Sequence, residues 1–173
     1  MPQILCDLDG VLLDFITPAM QLHNADPSIV TSWDIHSILG ITHEQFWKPI
    51  NRGGQRFWTD LPEYPWCDEL VGLIEKIDPD WHVSTSPSRS HNSAAGKVKW
   101  LQKKFGPKFR RYMLGESKHL FANQDSVLID DNEQTIQRFN ECGGFGVLFP
   151  AKWNSLHRLK DPIRYVKKQL QGS

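Results

Sequence analysis

Cysteine is scarce in this chain. Its three residues, Cys6, Cys67 and Cys142, are odd in number and far apart. They form neither a metal-ligand spacing nor a disulfide framework, and such usage suits a reducing compartment. No apolar run is long enough to span a bilayer. The start of the chain has no basic segment leading into an apolar one, so a secretory signal is not expected. Net charge is missing as well: 20 Lys and Arg balance 20 Asp and Glu, so nothing overall calls for nucleic acid or an anionic membrane. Internal repeats and low-complexity segments are absent. What remains is a globular protein, expected in the cytoplasm. Its 173 residues suit one domain with a small insert and are enough for a real core.

The balanced charge is unevenly spread. Residues 1–80 hold 4 Lys and Arg against 13 Asp and Glu, whereas residues 81–173 hold 16 against 7. Two solvated faces are the commoner cause of such asymmetry. The alternative is a cleft with an acidic wall for a metal and a basic wall for phosphate.

The most informative stretch is Ile4-Leu5-Cys6-Asp7-Leu8-Asp9-Gly10-Val11-Leu12-Leu13-Asp14-Phe15. It opens as a buried strand. Two carboxylates two residues apart follow, pointing the same way if the strand alternation holds. Gly10 then permits a sharp turn. The result is a negative pocket at a strand's C-terminal end, where open α/β sheets put their ligands. Acids this close repel, and a hard cation such as Mg²⁺ relieves the repulsion. A calcium loop is excluded, because Val11, Leu12 and Leu13 stand where further oxygen ligands are needed.

From about Thr17 to Trp66 the pattern reads as short helices and loops, with helical pieces at Pro18–His23 and His43–Ile50 broken by Pro27, Gly40, Gly53 and Gly54. The stretch is rich in rings: Trp33, Phe46, Trp47, Phe57, Trp58, Tyr64 and Trp66. Most are expected to be core, since a small unit needs large side chains to bury enough area; one or two are expected to face a ligand. Helices are then predicted at Asp68–Ile77, at Ser93–Phe105 with Val98, Leu101 and Phe105 on one face, at Gln134–Cys142 and at Ile163–Leu170. Strands are predicted at Trp81–Ser84, Tyr112–Leu114, Ser126–Ile129 and Phe145–Phe149. Alternation of this kind implies an α/β fold with a mostly parallel sheet and helices on both faces.

In a parallel sheet four strand ends carrying chemistry would share one edge. The first carries Asp7 and Asp9, and the second Thr85, whose hydroxyl can donate to a phosphate oxygen. Lys118, a positive point charge suited to phosphate, follows the third. The fourth ends in Asp130 and Asp131. Paired acids behind an apolar strand are costly to bury without a partner. A strand-end Thr or a loop Lys alone is usually structural or solvated, so the case rests on their convergence.

In order, Asp7-Leu8-Asp9-Gly10-Val11, Thr85, Lys118 and Asp130-Asp131 resemble the four motifs of the haloacid dehalogenase (HAD) superfamily of aspartate-nucleophile phosphatases. Among these the chain is most similar to the 5′(3′)-deoxyribonucleotidases. Phe46-Trp47, Thr85-Ser86-Pro87, and Lys97-Val98-Lys99-Trp100 leading into Lys104-Phe105-Gly106-Pro107 extend the likeness over most of residues 4–133. The resemblance implies a Rossmann-like core of residues 1–16 and 67–173 with a small helical cap at 17–66. It implies Asp7 as nucleophile and Asp9 as general acid and base. A Mg²⁺ cofactor would be held by Asp7, the Asp9 carbonyl and Asp131, with Asp130 as neighbour or second ligand. Thr85 with Ser86, Lys118 and backbone amides would hold the phosphate. Phe15, Phe46 and Trp47 would stack on a nucleobase, and Arg89 and Lys97 would reach the phosphate or sugar.

The activity so implied is hydrolysis of a deoxyribonucleoside monophosphate. The expected partners are thus a small phosphate ester and at most a second copy of the chain, with no membrane and no nucleic acid. Two departures bear on the base end alone: Asn132 replaces a basic residue, and Asn51–Arg56 is polar and glycine-rich where those enzymes have a tryptophan nearby. A sugar phosphate is the alternative substrate. A phospho-accepting signalling module fits less well, because there the adjacent acid pair usually precedes the acceptor. A nucleic-acid binder would use the basic run of residues 89–119, with 9 basic residues and one acid, but helical spacing turns several of these to solvent.

Overall fold

The computed structural model describes residues 2–171. The outermost residues of the expected core, Met1, Gly172 and Ser173, lie outside that range. Five short apolar runs form the strands β1 (Gln3–Cys6), β2 (His82–Thr85), β3 (Tyr112–Leu114), β4 (Ser126–Asp130) and β5 (Phe145–Leu148). All pair in parallel, in the order β3-β2-β1-β4-β5. The chain runs from β1 outward to β2 and β3, then crosses to β4 on the other side of β1. The switch of direction therefore falls between β1 and β4, the place where such sheets open a crevice at their C-terminal ends.

Parallel pairing needs a crossover between successive strands; α-helices supply three of the four, and β3 joins β4 through a 3₁₀ turn at Lys118–Phe121. The helices are α1 (Ile16–Gln21), α2 (Ile35–Ile38), α3 (His43–Thr59), α4 (Cys67–Ile77), α5 (His91–Phe105), α6 (Glu133–Glu141) and α7 (Pro162–Gln171), the last of which follows β5. One face of the sheet packs into a large apolar cluster with Ile4, Val83 and Val127 from the strands and Leu70, Ile74 and Leu101 from the helices. The other face buries Leu5 and Leu128 under Ile136 and Phe139 of α6. Helices on both faces explain why β4 is buried along its whole length.

Helices α1 to α3 lie between β1 and α4. Most of their rings are core or packed against it, as expected: Phe46 and Trp58 are buried, and Trp33, Trp47, Phe57 and Trp66 are partly buried. The helix predicted to stop at Ile50 runs on to Thr59. It starts with a capping box, in which Thr42 accepts from the Gln45 amide and Gln45 accepts from that of Thr42. The glycines bend it without ending it: Gly54, at φ 58° and ψ −151°, marks a kink. The second half is held against α5, where Gly96 allows close approach. A Cβ at Gly96 would stand 2.7 Å from the Gln55 carbonyl oxygen.

The buried face of α5 is also offset from the predicted one. It consists of Ser93, Gly96, Lys97, Trp100 and Leu101, whereas Val98 is half-buried. A lysine thus occupies the centre of a core-facing stripe.

Candidate active site

β1 stops at Cys6, so Asp7 to Gly10 form a turn rather than a strand continuation. The Asp7 amide still donates to the Ile129 carbonyl at 2.8 Å, tying the turn to β4. The Leu8 carbonyl accepts from Leu12 and Leu13 at 2.9 and 2.8 Å. Gly10 has φ +84°, and a Cβ there would lie 2.5 Å from Asp131 Oδ2. Glycine is therefore required for the turn and for the closeness of Asp131.

The strand ends converge as expected. Lys118, at the start of a 3₁₀ turn after β3, is buried and bridges Asp7 Oδ1 at 2.8 Å and Asp130 Oδ2 at 2.6 Å. Asp130 Oδ1 accepts from the Asn132 amide at 2.8 Å, and Asn132 caps α6. Burial opposes the Lys118 charge, but Asp7 and Asp130 outweigh it and hold the ammonium above its ordinary pKa. Burial, then repulsion from Asp7, pushes Asp130 up. Burial also pushes Asp131 up, with repulsion from Asp130 and Asp7, and hydrogen bonds from Trp153 and Trp33 act against this.

Lys97 has no solvent exposure. Its ammonium donates to Asp9 Oδ2, to Thr85 Oγ1 at 2.7 Å and to the Ser86 carbonyl at 3.1 Å, which uses all three N–H groups. It also lies 5.6 Å from the centre of the Trp58 ring. Burial raises the Asp9 pKa, and Lys97 opposes the rise. Asp9 Oδ1 is buried without a hydrogen-bond partner. Thr85 accepts from Lys97, which leaves its hydroxyl hydrogen for another acceptor. Ser86 is exposed and donates to the Gly115 carbonyl at 3.2 Å.

The residues present suit a divalent cation. Asp7, Asp130 and Asp131 each offer a buried carboxylate oxygen, all within 4.8 Å of one another. Four carboxylates, those of Asp7, Asp9, Asp130 and Asp131, face two ammoniums, those of Lys97 and Lys118. Fully ionised, the cluster carries two uncompensated negative charges, and hard oxygen donors are what Mg²⁺ takes.

These groups open into a cavity of about 310 Å³. One part is aromatic: Phe15, Trp33, Phe46, Trp47 and Trp58 line it, with Phe15 stacked on Trp58 at 5.5 Å and tilted against Trp47 at 5.9 Å. Another part is polar, with Ser88, Glu116, Asn132 and Thr135. Asp7, Asp9, Phe15, Phe46, Trp47, Thr85, Ser86, Lys118, Asp130 and Asp131 thus meet at one cavity. Lys97 lies beneath it, on Asp9 and Thr85. Arg89 is exposed in an adjoining groove with Lys48 and Arg52. Trp153 and Asn154 were not singled out in the sequence, yet both hydrogen-bond Asp131. No local pattern marks them, since they stand in a loop after β5. Lys97 did leave a signal, its place in the stripe Ser93, Gly96, Lys97, Trp100 and Leu101 at helical spacing.

A sequence comparison with curated proteins finds no match. Solved structures share the fold at low identity. A hydrolase from Pseudomonas syringae is 17% identical, with 99% of each chain covered and a TM-score of 0.58. A HAD family hydrolase from Deinococcus radiodurans R1, with bound phosphate and sodium, is 14% identical over 92% of this chain and 88% of that one, with a TM-score of 0.60. A HAD family enzyme from Bacteroides thetaiotaomicron, in complex with magnesium and inorganic phosphate, is 15% identical over 92% of this chain and 100% of that one, with a TM-score of 0.51. The sequence itself matches the family described as 5′ nucleotidase, deoxy (pyrimidine), cytosolic type C protein (NT5C) over residues 1–164. With Asp7, Asp9, Thr85, Lys118, Asp130 and Asp131 brought from four parallel strand ends to one cavity, the chain belongs to that family, and with it to the HAD-superfamily hydrolases of phosphate esters.

Proposed function

We propose that this hydrolase removes the phosphate of a deoxyribonucleoside 5′- or 3′-monophosphate, with Asp7 as nucleophile and Mg²⁺ as cofactor. The observation that carries this reading is one cavity joining the Asp7–Lys118–Asp130 cluster to a wall of stacked aromatic rings. The carboxylates attract a cation, Lys118 and the Thr85 hydroxyl attract a phosphate, and the rings offer a face to a base. Stacking of a base on such rings is worth about 1–3 kcal/mol.

The proposed chemistry has two steps. An Asp7 carboxylate oxygen forms a bond to phosphorus, the bond from phosphorus to the ester oxygen breaks, and Asp9 gives its proton to the leaving oxygen. A water then attacks the aspartyl-phosphate, Asp9 takes its proton, and the bond from phosphorus to Asp7 breaks. This returns Asp7 and leaves inorganic phosphate. The burial that raises the Asp9 pKa favours the protonated form needed at the start. Asp7, Asp131 and Asp130 would hold the cation, together with the Asp9 carbonyl. When bound, the cation supplies charge neutralisation on the phosphoryl oxygens. Lys118 and Thr85 would orient the phosphate, and Ser86 lies beside them. The segment 17–66 would act as a cap that excludes water and admits only small substrates. Phe15, Phe46 and Trp47 would meet the base, and Arg89 would reach the outer part of the substrate. Lys97 would hold Asp9 rather than touch the phosphate.

A second reading, a sugar phosphate, is supported by the polar part of the cavity, where Glu116, Asn132 and Thr135 suit hydroxyl groups. Release of phosphate from thymidine and deoxyuridine monophosphates and from sugar phosphates, with and without Mg²⁺, separates the two. Nucleotide preference that requires Mg²⁺ is expected. Equal or better turnover of sugar phosphates overturns the first reading.

A further inference from the structure

Asp131 differs from Asp7, Asp9 and Asp130 in having no lysine partner among the described residues. Its Oδ2 instead accepts two indole N–H groups, from Trp33 Nε1 at 2.9 Å and from Trp153 Nε1. Its backbone carbonyl accepts from Asn154 Nδ2 at 2.9 Å. The donors come from separate parts of the chain. Trp33 stands in the helical insert just before α2, and Trp153 follows β5. The two rings pack with their centres 5.1 Å apart.

A carboxylate oxygen has two lone-pair sites, and both sites of Oδ2 are taken. Oδ1 makes no hydrogen bond among the described residues. Rotation of the carboxylate is restrained by two rigid rings, so a cation can take this residue only through Oδ1. We infer that Trp33 and Trp153 are positioning residues that set Asp131 for one-oxygen ligation of a divalent cation, and that Trp33 thereby couples cation binding to docking of the cap.

The inference rests on the metal-dependent phosphatase reading and adds a linkage to it. With the cap docked, both indoles hold Asp131. With the cap displaced, Trp153 alone remains, and the ligand is less well set. The cation then binds the docked form more tightly. By reciprocity it must favour docking by the same factor. Two indoles that only satisfied a buried carboxylate would stabilise the fold, yet the cap would not respond to the cation.

The test uses the full chain, Mg²⁺ alone as the probe, and the variants Trp33→Phe and Trp153→Phe. Calorimetry gives Mg²⁺ affinity, and amide hydrogen exchange over residues 31–41 reports cap docking. Each variant should bind Mg²⁺ on the order of 10–100-fold more weakly, the usual effect of losing a group that orients a metal ligand. Mg²⁺ should slow exchange over residues 31–41 in the wild type and not in Trp33→Phe. Quenching or enhancement of tryptophan fluorescence on adding Mg²⁺ should shrink in both variants. Wild-type Mg²⁺ affinity in both folded variants overturns the inference, as does a wild-type cap that ignores Mg²⁺. Should Trp33→Phe fail to fold, the Mg²⁺ affinity of Trp153→Phe tests the positioning role, and the response of wild-type residues 31–41 to Mg²⁺ tests the coupling. A wild type that binds no Mg²⁺ overturns the inference and the metal-dependent reading together. Trp33-dependent Mg²⁺ binding without nucleotide hydrolysis supports the inference and overturns the substrate reading alone.

Discussion

Replacing Lys97 with methionine tests how the site is held together. Methionine keeps an unbranched stem against Trp58 but removes the ammonium and its bonds to Asp9, Thr85 and the Ser86 carbonyl. Lys97 is fully buried, and the Asp9 side chain is 17% exposed, so little water is available to replace the lost partner. Breaking a buried ion pair by removing one member costs about 3–5 kcal/mol. Set against a total stability of about 5–15 kcal/mol, this removes between a fifth and nearly all of it. For a chain of this size the melting midpoint falls by roughly 6–20 °C. The deficit has a pH direction. Burial holds the Asp9 carboxyl above its ordinary pKa and Lys97 opposes that, so without Lys97 the folded-state value rises further. A raised folded-state pKa gives stability that is present at low pH and lost as pH rises through it. Without divalent cation, the variant should therefore lag the wild type most in alkaline buffer and recover on acidification. Turnover should also fall, by on the order of 10²–10⁴, because the proposed acid and base is no longer held in place. Thermal unfolding across pH, beside phosphate release, measures both. A midpoint equal to wild type in alkaline buffer would refute the assignment of Lys97 as the partner that holds Asp9.

Three further outcomes are expected. Asp7→Asn should lose turnover while unfolding close to wild type, because Lys118 keeps Asp130 as its partner; full activity would refute the nucleophile assignment. Gly10→Ala should cost roughly 1–2 kcal/mol for a side chain at φ +84°. Its Cβ must also displace Asp131, so Mg²⁺ affinity should fall further than stability, and unchanged calorimetric affinity would count against the role of that contact. Of the three thiols, Cys142 alone is exposed, whereas burial pushes Cys67 up to about 12 and Cys6 well above the ordinary range. Alkylation of the native protein near neutral pH should therefore show one fast thiol by mass spectrometry, with Cys6 and Cys67 reacting only on unfolding.

Parallel strands and their helices were legible along the chain because the apolar runs end at a turn residue or an acid, and their shortness, taken with the 3.6-residue period of the longer segments, separates strand from helix. Asp7, Thr85, Lys118 and Asp130 could be gathered from sequence for the same reason, since parallel strands put their C-terminal ends on one edge. The extent of α3 could not, because Gly53 and Gly54 look like a stop until packing against Gly96 of α5 is known. Nor could the partners of the acids. Trp33 stands 98 positions from Asp131 and Trp153 stands 22 away, and no local pattern links an indole to a carboxylate at such range. Lys97 shows the division most plainly. Its place in the buried stripe of α5 is written in the spacing of its neighbours, but its choice of Asp9 is not. A buried ammonium must find acceptors or lose its charge, and only the assembled core decides which acceptors are within reach.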